Sequence, residues 1–370
     1  MKYYLIAGEA SGDLHGSNLM KALKKNDADA EFRYFGGDLM KAEGGYLQKH
    51  YSGMAFMGFV EVISNLSTVL RNIKAAKQDV LAFKPDALIL IDFPGFNMKI
   101  AEFARAKGIK VFYYISPKVW AWNQKRVLKI KKNVDRMFCI LPFEVEFYKL
   151  WGMEVDYVGN PILDAIAQNI PDQQFRQKHG LDQRPIIALL PGSRKQELDR
   201  VLPEMLDSAS RFPEYQYVIA GAPSFSFADY RKYIGEGQYP IVFNETYNLI
   251  LHSAAAVVTS GTATLETALL RIPQVVVYKG NPVSIGIARL LVSIKFISLV
   301  NLVMDSAIVK ELIQEDCSGA KIGDELNLIM KDSSYRSRML QNYELLAQRM
   351  GGPGASGRAA ELMFSYLKNS

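Results

Sequence analysis

Short apolar segments recur along the chain and alternate with stretches in which apolar residues return at helical spacing. We predict buried strands in the first half at Tyr3–Ala7, Arg33–Phe35, Ala87–Asp92, Val111–Ile115, Met137–Leu141 and Val155–Val158. The second half repeats the pattern at Ile186–Leu190, Tyr217–Ala220, Ile241–Phe243, Ala255–Thr259 and Gln274–Tyr278. Strands that alternate with helices indicate parallel sheets covered by helices on both faces.

The strand pattern stops between Asn160 and Asp182, where prolines and polar residues cluster. We therefore predict a first domain over residues 1–165 and a second over 166–350. Residues 351–370 begin with the glycine-rich break Gly351–Gly357, and the helix that follows it is expected to pack back on the first domain. The predicted fold class is α/β, with two doubly wound Rossmann-like domains whose loops face a central cleft.

The stretch Thr259–Glu266 joins a strand end, a glycine turn and a helix start. Thr262 is a good N-cap, and a helix start after a buried strand presents free backbone N–H groups to an anion. A phosphate or diphosphate suits that position, and Glu266, one turn further along, could hold ribose hydroxyls. The alternative is an ordinary strand-to-helix connection with a surface glutamate.

Two loops of the first half carry carboxylates after strands. Gly8–Asp13 is neither a dinucleotide fingerprint nor a Walker loop, and Glu9 and Asp13 suit sugar hydroxyls better than a diphosphate. Asp92 ends a buried strand, where burial would raise its pKa and make it a usable general base. The alternative for Gly8–Asp13 is a capped tight turn. The alternative for Asp92 is a helix N-cap or turn aspartate.

Leu189–Arg194 is the matching loop at the start of the second half. Arg194 follows a glycine turn and precedes a helix, so it is well placed to neutralise a phosphate. The alternative is a surface arginine.

The segment Met54–Ile63 is more apolar than a surface helix needs. It could lie in a membrane interface or hold an acyl chain, although a core helix is the more frequent explanation of such a stripe.

Composition and charge narrow the classes of protein. The 370 residues have 49% hydrophobic and 22% charged content, as a folded soluble protein does, and a net charge of +6. Basic residues are dense between Lys118 and Arg136, which fits an anionic partner or simply a solvated helix face. The chain has two cysteines, no signal-peptide pattern and no long uncharged apolar window, so we expect a cytoplasmic location.

Six motifs in order resemble lipid-A-disaccharide synthase, a glycosyltransferase of GT-B type. They are Gly8–Asp13, Met57–Val62, Ser116–Trp122 with Gln124–Arg126, Leu141–Glu144, Pro191–Arg194 and Ser260–Glu266. The resemblance covers nearly the whole chain, and the tryptophan segment and the ordered set are its most specific parts.

The resemblance implies transfer of a diacylglucosamine unit from its UDP-activated form to diacylglucosamine 1-phosphate. The product would be a β-1,6-linked disaccharide, formed with inversion and without a metal or other cofactor. Both substrates are acylated, so a peripheral site on the anionic inner membrane is expected. No nucleic-acid partner is implied, and nothing in the sequence specifies an oligomeric state.

From the motifs and the resemblance together we assign candidate residues. Asp92 is the base, and Arg194 stabilises the leaving group. The remaining assignments are nucleotide binding by Ser193, Arg194, Ser260, Gly261, Thr262, Glu266 and Asn301, acceptor binding by Glu9, Ser11, Asp13 and Asn97, and lipid contact by Met57, Phe59 and Val62.

The chain departs from its presumed relatives at three positions. Gly95 stands where many relatives carry a second aspartate, Asn160 where they often have histidine, and Lys118 where they often have a small residue.

Two other classes of protein are alternatives. Nucleotide-sugar 2-epimerases share the fold and the diphosphate site, but they have no use for an apolar Met54–Leu66 segment. A basic nucleic-acid-binding module would fit the net charge, but it would leave both sets of cleft loops without a role.

Overall fold

The computed structural model describes residues 1–54, 66–235, 239–281 and 295–369. The chain forms two compact units. One comprises Met1–Asp164 together with Pro353–Ser370, and the other comprises Ala165–Gly352.

The described part of the first unit contains a seven-stranded parallel sheet with the order β3-β2-β1-β4-β5-β6-β7. Its strands are β1 Lys2–Ala7, β2 Glu31–Gly36, β3 Tyr46–His50, β4 Ala87–Ile91, β5 Lys110–Tyr114, β6 Arg136–Cys139 and β7 Asp156–Tyr157. Its helices before the crossing to the second unit are α1 Ala10–Asn26, α2 Asp38–Ala42, α3 Leu66–Phe83, α4 Pro94–Ala106, α5 Val119–Trp122, α6 Arg126–Asn133 and α7 Phe143–Leu150, and α8 Pro161–Gln168 makes the crossing.

The described part of the second unit contains a six-stranded parallel sheet with the order β10-β9-β8-β11-β12-β13. Its strands are β8 Ile186–Leu190, β9 Gln216–Gly221, β10 Ile241–Phe243, β11 Ser253–Thr259, β12 Gln274–Tyr278 and β13 Glu311–Ile313. Its helices are α9 Phe175–Lys178, α10 Lys195–Asp207, α11 Phe227–Ile234, α12 Thr246–Leu251, α13 Thr262–Leu269, α14 Leu299–Met304, α15 Gly319–Lys331 and α16 Ser333–Met350.

Each sheet reverses its strand order beside its first strand, at the β1–β4 pair and at the β8–β11 pair. Such a reversal opens a crevice at the carboxyl ends of the strands, and ligands of doubly wound sheets bind there. The loops after these four strands are therefore the places in each unit where a ligand is expected.

The central strands are apolar because both of their faces are covered. Every residue of β4 is buried, with Leu88 and Leu90 in one hydrophobic cluster and Ile89 and Ile91 in the other. This alternation is the period-two geometry of a strand packed on both sides.

The last helix, α17 Ala355–Lys368, belongs to the first unit. Its Ala359, Ala360 and Met363 are buried in the same cluster as Leu19 of α1. The Arg358 Nε atom donates to the Val158 carbonyl oxygen at 2.9 Å. The chain thus returns to its starting unit after completing the second one.

The predicted alternation of strands and helices and the α/β fold class are confirmed. The sequence prediction missed β3 and β13, which are the edge strands Tyr46–His50 and Glu311–Ile313. Edge strands have a partner on one side only and are partly exposed here, so they carry no continuous apolar run.

Candidate active site

The loops after β1 and β4 enclose a small cavity at the switch point of the first unit. Its lining consists of Gly8, Glu9, Ser11, Gly12, Ile91, Asp92 and Phe93. The Phe93 ring packs directly over Gly8, where a Cβ atom would lie 2.3 Å from the ring. Glycine at this position lets the two loops approach, and it brings Glu9 and Ser11 to the same cavity as Asp92.

Asp92 and Phe93 hold a backbone conformation that few side chains adopt. Their φ angles are +43° and +49°, both in the left-handed region. The Asp92 carbonyl oxygen accepts hydrogen bonds from the Tyr113 hydroxyl at 2.6 Å and from the Asn97 amide at 2.8 Å. Strained backbone that its surroundings hold in place is typical of functional sites.

The electrostatic surroundings of Asp92 favour a carboxyl that can exchange a proton. Burial raises the pKa of Asp92 above its usual value, and the neighbouring Glu9 carboxylate raises it further. Lys118 and the Phe93 backbone N–H lower the pKa of Asp92 and partly oppose this shift. A raised pKa brings a carboxyl closer to the range where it works as a general base near neutral pH.

Two residues that we predicted to bind the acceptor, Asp13 and Asn97, make side-chain hydrogen bonds within the protein. The buried Asp13 carboxylate accepts backbone N–H bonds from Gly37 at 2.8 Å and from Leu39 and Met40 at 3.0 Å. The fully buried Asn97 amide donates to the Asp92 carbonyl and to the Ile91 carbonyl at 3.2 Å. These hydrogen bonds hold the loops in position, and acceptor binding by Asp13 and Asn97 stays a prediction. Glu9 and Ser11 are the predicted acceptor residues that line the cavity.

In the second unit, the loop after β8 is built around Glu197. The Glu197 carboxylate accepts the backbone N–H groups of Ser193 at 3.2 Å and Arg194 at 3.3 Å. Gly192 has a φ of +98°, and a Cβ atom there would lie 2.3 Å from Glu197 Oε2. The sequence analysis missed Glu197, although a glutamate three residues after an N-cap is a recognisable signal.

Arg194 stands at the N-cap of α10 with 73% of its side chain exposed. Its Nη1 atom lies 3.3 Å from Glu197 Oε1, an exposed ion pair of the kind that contributes little to stability. The guanidinium can therefore reorient toward an incoming anion at small cost.

The loop after β11 ends in an exposed helix start. Gly261 and Thr262 are exposed, and α13 begins at Thr262. The first N–H groups of a helix have no partner within it, so they are available to an anion. The Ser260 hydroxyl donates to the Ile297 carbonyl at 2.8 Å, which fixes this loop to the segment before α14.

Glu266 lies on α13 and is paired with Tyr247, whose hydroxyl donates to Glu266 Oε1 at 2.9 Å. Burial raises the pKa of Glu266, and the tyrosine hydrogen bond opposes this shift. The tyrosine thus fixes one oxygen of the Glu266 carboxylate, and the ribose contact of Glu266 stays a prediction. Sequence reasoning did not find Tyr247, because the contact depends on the packing of α12 against the sheet.

Asn301 is buried, and all of its side-chain polar atoms are bonded within the protein. Its amide donates to Val309 O and Glu311 Oε1, each at 2.9 Å, and its Oδ1 accepts from Ile308 and Val309 N–H groups. Glu311 also accepts the backbone N–H groups of Ile297 and Ser298, each at 2.9 Å. Asn301 and Glu311 therefore brace the segment that holds Ser260, and the nucleotide contact of Asn301 stays a prediction.

A buried glutamate joins two of the sequence motifs. Glu144 Oε1 accepts from the Trp120 indole N–H at 3.2 Å, and Oε2 accepts from the Leu141 backbone N–H at 3.0 Å. Burial raises the pKa of Glu144 to about 7 against the opposing effect of these donors. The tryptophan segment after β5 is thus tied to the loop after β6.

Three candidate residues, Met57, Phe59 and Val62, lie outside the described residues. Among the helices that are described, none is long and apolar enough to span a bilayer. The described residues also contain no cluster of three or more histidine, cysteine, aspartate or glutamate side chains arranged for a metal ion.

Two Rossmann-like units, each with polar loops at a switch point, define a fold of the GT-B type. The UDP-GlcNAc 2-epimerase of Neisseria meningitidis, solved with UDP-GlcNAc, superposes with a TM-score of 0.69 at 12% identity and covers 100% of both chains. At that identity the likeness shows the fold alone.

Sequence relatives identify the family. The sequence model of the lipid-A-disaccharide synthetase family matches residues 3–356 of this chain. The lipid-A-disaccharide synthase of Trichlorobacter lovleyi is 37% identical, covering 99% of this chain and 97% of the relative. The lipid-A-disaccharide synthase of Syntrophus aciditrophicus is 38% identical, covering 99% of this chain and 98% of the relative. The chain belongs to the lipid-A-disaccharide synthetase family and is a glycosyltransferase of lipid A disaccharide synthesis.

Proposed function

We propose that the protein transfers a 2,3-diacylglucosamine unit from UDP-2,3-diacylglucosamine to 2,3-diacylglucosamine 1-phosphate. The products are the β-1,6-linked disaccharide 1-phosphate and UDP. Family membership over residues 3–356 supports the reaction class. The observation that carries the chemistry is Asp92, a carboxyl with a raised pKa on a left-handed backbone at the β1–β4 switch point.

In the proposed reaction Asp92 accepts the proton of the acceptor 6-hydroxyl while that oxygen attacks the anomeric carbon of the donor. The bond from this carbon to the diphosphate breaks, and its electron pair leaves with UDP. Attack from the face opposite the diphosphate inverts the anomeric centre. The step needs no metal ion if protein groups neutralise the leaving diphosphate.

We assign that neutralisation to Arg194 and to the start of α13 at Gly261 and Thr262. Their interaction with the diphosphate strengthens as negative charge develops, so it lowers the barrier rather than only binding substrate. The Ser193 hydroxyl would donate to a phosphate oxygen, the Ser260 hydroxyl would do so on leaving the Ile297 carbonyl that it binds here, and Glu266 would hold the ribose. On the acceptor side, Glu9 and Ser11 would bind sugar hydroxyls beside Asp92.

Both substrates carry acyl chains, so we propose reversible binding to the anionic cytoplasmic face of the inner membrane. The apolar Met57, Phe59 and Val62 and the basic residues between Lys118 and Arg136 are of the types that bind such surfaces. Replacing Met57 and Phe59 by serine should weaken vesicle binding and activity on long-chain substrates more than on short-chain analogues. A folded double variant that behaves like the wild type would remove the segment from this role.

Incubation with both substrates and detection of products by mass tests the reaction. We expect a disaccharide 1-phosphate and UDP in equal amounts, with activity kept in EDTA. Release of UDP without a disaccharide, or conversion of UDP-GlcNAc to its C2 epimer, would contradict the proposed transfer. Loss of activity in EDTA that magnesium restores would contradict the metal-independent step.

A further inference from the structure

A second cavity, of about 220 Å³, lies in the first unit beside the carboxyl ends of β4 and β5. Pro94 and Gly95 line it directly after the Asp92–Phe93 pair, and Pro117 and Lys118 line it from the loop after β5. Burial raises the pKa of Asp92 and Lys118 opposes this shift, so the Lys118 ammonium group lies near that carboxyl. The cavity therefore adjoins the proposed base.

The interior of this second cavity is mainly apolar. Of the described residues that line it, six have no polar side-chain group, namely Pro94, Gly95, Met98, Pro117, Val119 and Ile130. Val119 and Ile130 are buried in a hydrophobic cluster of the first unit, and Met98 packs against that cluster. The volume is far above the roughly 10–15 Å³ that one water molecule needs, but below the roughly 300–1,000 Å³ of a pocket that encloses a whole ligand. The cavity therefore suits an apolar part of a larger molecule.

The basic residues around the cavity interact with other groups of the protein. Three of the four that line it are Lys118, which acts on Asp92, Lys129, and Arg126, which also has a partner. The Lys129 Nζ atom lies 2.8 Å from Glu102 Oε2. Lysine stems are apolar, so they can cover an apolar ligand while their ammonium groups stay in water. The charge around the cavity is thus largely balanced, and its apolar interior determines what it binds.

Gly95 keeps part of this volume open. It is the second residue of α4 and does not have a left-handed φ angle, so other residues can adopt its backbone conformation. A Cβ atom at Gly95 would meet no atom of the described residues within 4 Å. A larger side chain can therefore occupy part of the cavity without a change of the backbone.

We propose that this cavity holds an acyl chain of the acceptor. The inference rests on the proposed function, and it deepens that function by naming the place that receives the lipid part of the acceptor. The attacking hydroxyl and the acyl groups belong to one sugar ring, so the acyl groups are carried beside Asp92 when that hydroxyl meets the base. A chain seated next to Asp92 would orient the sugar, and the volume of the cavity would limit the length of the chain.

The test compares acceptors of increasing acyl length, from acetyl to octanoyl, in the wild type and in Gly95→Leu. In the wild type, KM should fall about fourfold for each methylene that the cavity takes up, as expected for burial of a CH₂ group. The leucine side chain fills part of the cavity, so in Gly95→Leu this fall should end about three methylenes earlier. KM for the octanoyl acceptor should then rise about tenfold to a hundredfold, while KM for the acetyl acceptor should change less than about threefold.

Gly357→Leu is the matched control. Gly357 is exposed in the first turn of α17, and a Cβ atom there would also meet no atom of the described residues within 4 Å. Its chain-length profile should match that of the wild type. Met98→Ala enlarges the cavity and should extend the fall of KM to longer chains, opposite to Gly95→Leu. A profile in Gly95→Leu that equals the wild type, or that is shifted by the same factor at every chain length, would overturn the proposal.

Direct binding separates this inference from the proposed reaction. Calorimetric titration should show that Gly95→Leu loses affinity for octanoylated glucosamine 1-phosphate and keeps its affinity for the acetylated compound. A wild type that forms no disaccharide would overturn the proposed reaction, yet this titration would still report on the cavity. Equal affinities of Gly95→Leu and the wild type for both compounds would overturn the acyl-chain assignment.

The donor and the bilayer are the other sources of acyl chains. With the acetyl acceptor held constant, Gly95→Leu should not alter the dependence of KM on the acyl length of the donor. Flotation with phosphatidylglycerol vesicles should give similar binding for Gly95→Leu and Gly357→Leu. A shift with donor chains alone would assign the cavity to the donor. Selective loss of vesicle binding in Gly95→Leu, with an unchanged acceptor profile, would assign it to the membrane, and either result would overturn the proposal.

Discussion

The switch points of the two units have the same topology but differ in how their side chains are held. At the β1–β4 crevice the backbone of Asp92 and Phe93 is left-handed, and the neighbouring Asp13 and Asn97 side chains make hydrogen bonds within the protein. At the β8–β11 crevice Arg194, Gly261 and Thr262 are exposed, and the bracing comes from Glu197 and Glu311 behind them.

This difference separates two demands that a transferase must meet. A general base needs a fixed position and a shifted pKa, which burial and internal hydrogen bonds provide. A diphosphate site needs accessible donors and positive charge, which an exposed arginine and an open helix start provide. We therefore expect substitutions in the first crevice to affect proton transfer from the acceptor. Substitutions in the second crevice should affect stabilisation of the leaving diphosphate.

The largest expected effect follows removal of the proposed base. Asp92→Asn should reduce kcat by about two to four orders of magnitude, the usual contribution of general base catalysis. UDP affinity, measured by calorimetry, should stay close to that of the wild type because the nucleotide is assigned to the other unit. Turnover within about threefold of the wild type would reject Asp92 and direct attention to Glu9.

In the second crevice, Arg194→Ala should lower kcat about tenfold to a hundredfold, the free-energy equivalent of one charge-assisted hydrogen bond. Arg194→Lys should recover only part of this loss, since lysine lacks the planar fork that binds two phosphate oxygens. Steady-state kinetics with a short-chain acceptor measure both variants. Unchanged kinetics would mean that Arg194 is only a surface residue, and that the second crevice does not stabilise the leaving group through it.

Glu144 in the first unit and Glu311 in the second each hold a loop through several hydrogen bonds, so the two residues allow a matched comparison of stability. Glu144→Gln and Glu311→Gln each place an amide NH₂ group against hydrogen-bond donors, which should cost about 1–3 kcal/mol of unfolding free energy. Chemical denaturation at fixed pH measures both. A loss below about 0.5 kcal/mol in either variant would mean that the corresponding loop is not held by its carboxylate.

Glu144 adds a pH dependence to this comparison. Its pKa of about 7 in the folded protein exceeds the ordinary value of 4.5. The stability that it contributes is therefore fully present below pH 4.5 and is lost as the pH rises toward 7. The destabilisation by Glu144→Gln should be larger at pH 5 than at pH 8, and the opposite order would contradict the raised pKa.

The smallest expected effect concerns the carboxylate pair of the first crevice. The Glu9 carboxylate raises the pKa of Asp92, so Glu9→Gln should lower that pKa. Asp92 must be ionised to act as a base, and the acid limb of the kcat profile should therefore move to lower pH. Ser11→Ala removes no charge and serves as the control. An unmoved limb in Glu9→Gln would mean that another group sets it.

The sequence was sufficient for the α/β fold class and for the central strands and the loops that follow them, although not for the edge strands β3 and β13. Fully buried strands such as β4 have continuous apolar runs, and polar residues that end such runs lie in the crevice. The contacts of Asp13, Asn97 and Asn301 could not be predicted this way, because their partners lie on turns and loops whose folded path brings them to these side chains. The contact of Glu144 with Trp120 likewise requires the segments after β5 and β6 to converge, which no local pattern encodes.

The return of α17 to the first unit has a consequence for how the chain matures during synthesis. Residues Ala165–Gly352 separate this helix from the rest of its unit. At about 5–20 residues per second, the ribosome needs roughly 10–40 s to produce that interval. During this time α1 and its sheet face lack Ala359, Ala360 and Met363. The core of the nascent first unit therefore lacks these apolar contacts until the second unit has been synthesised.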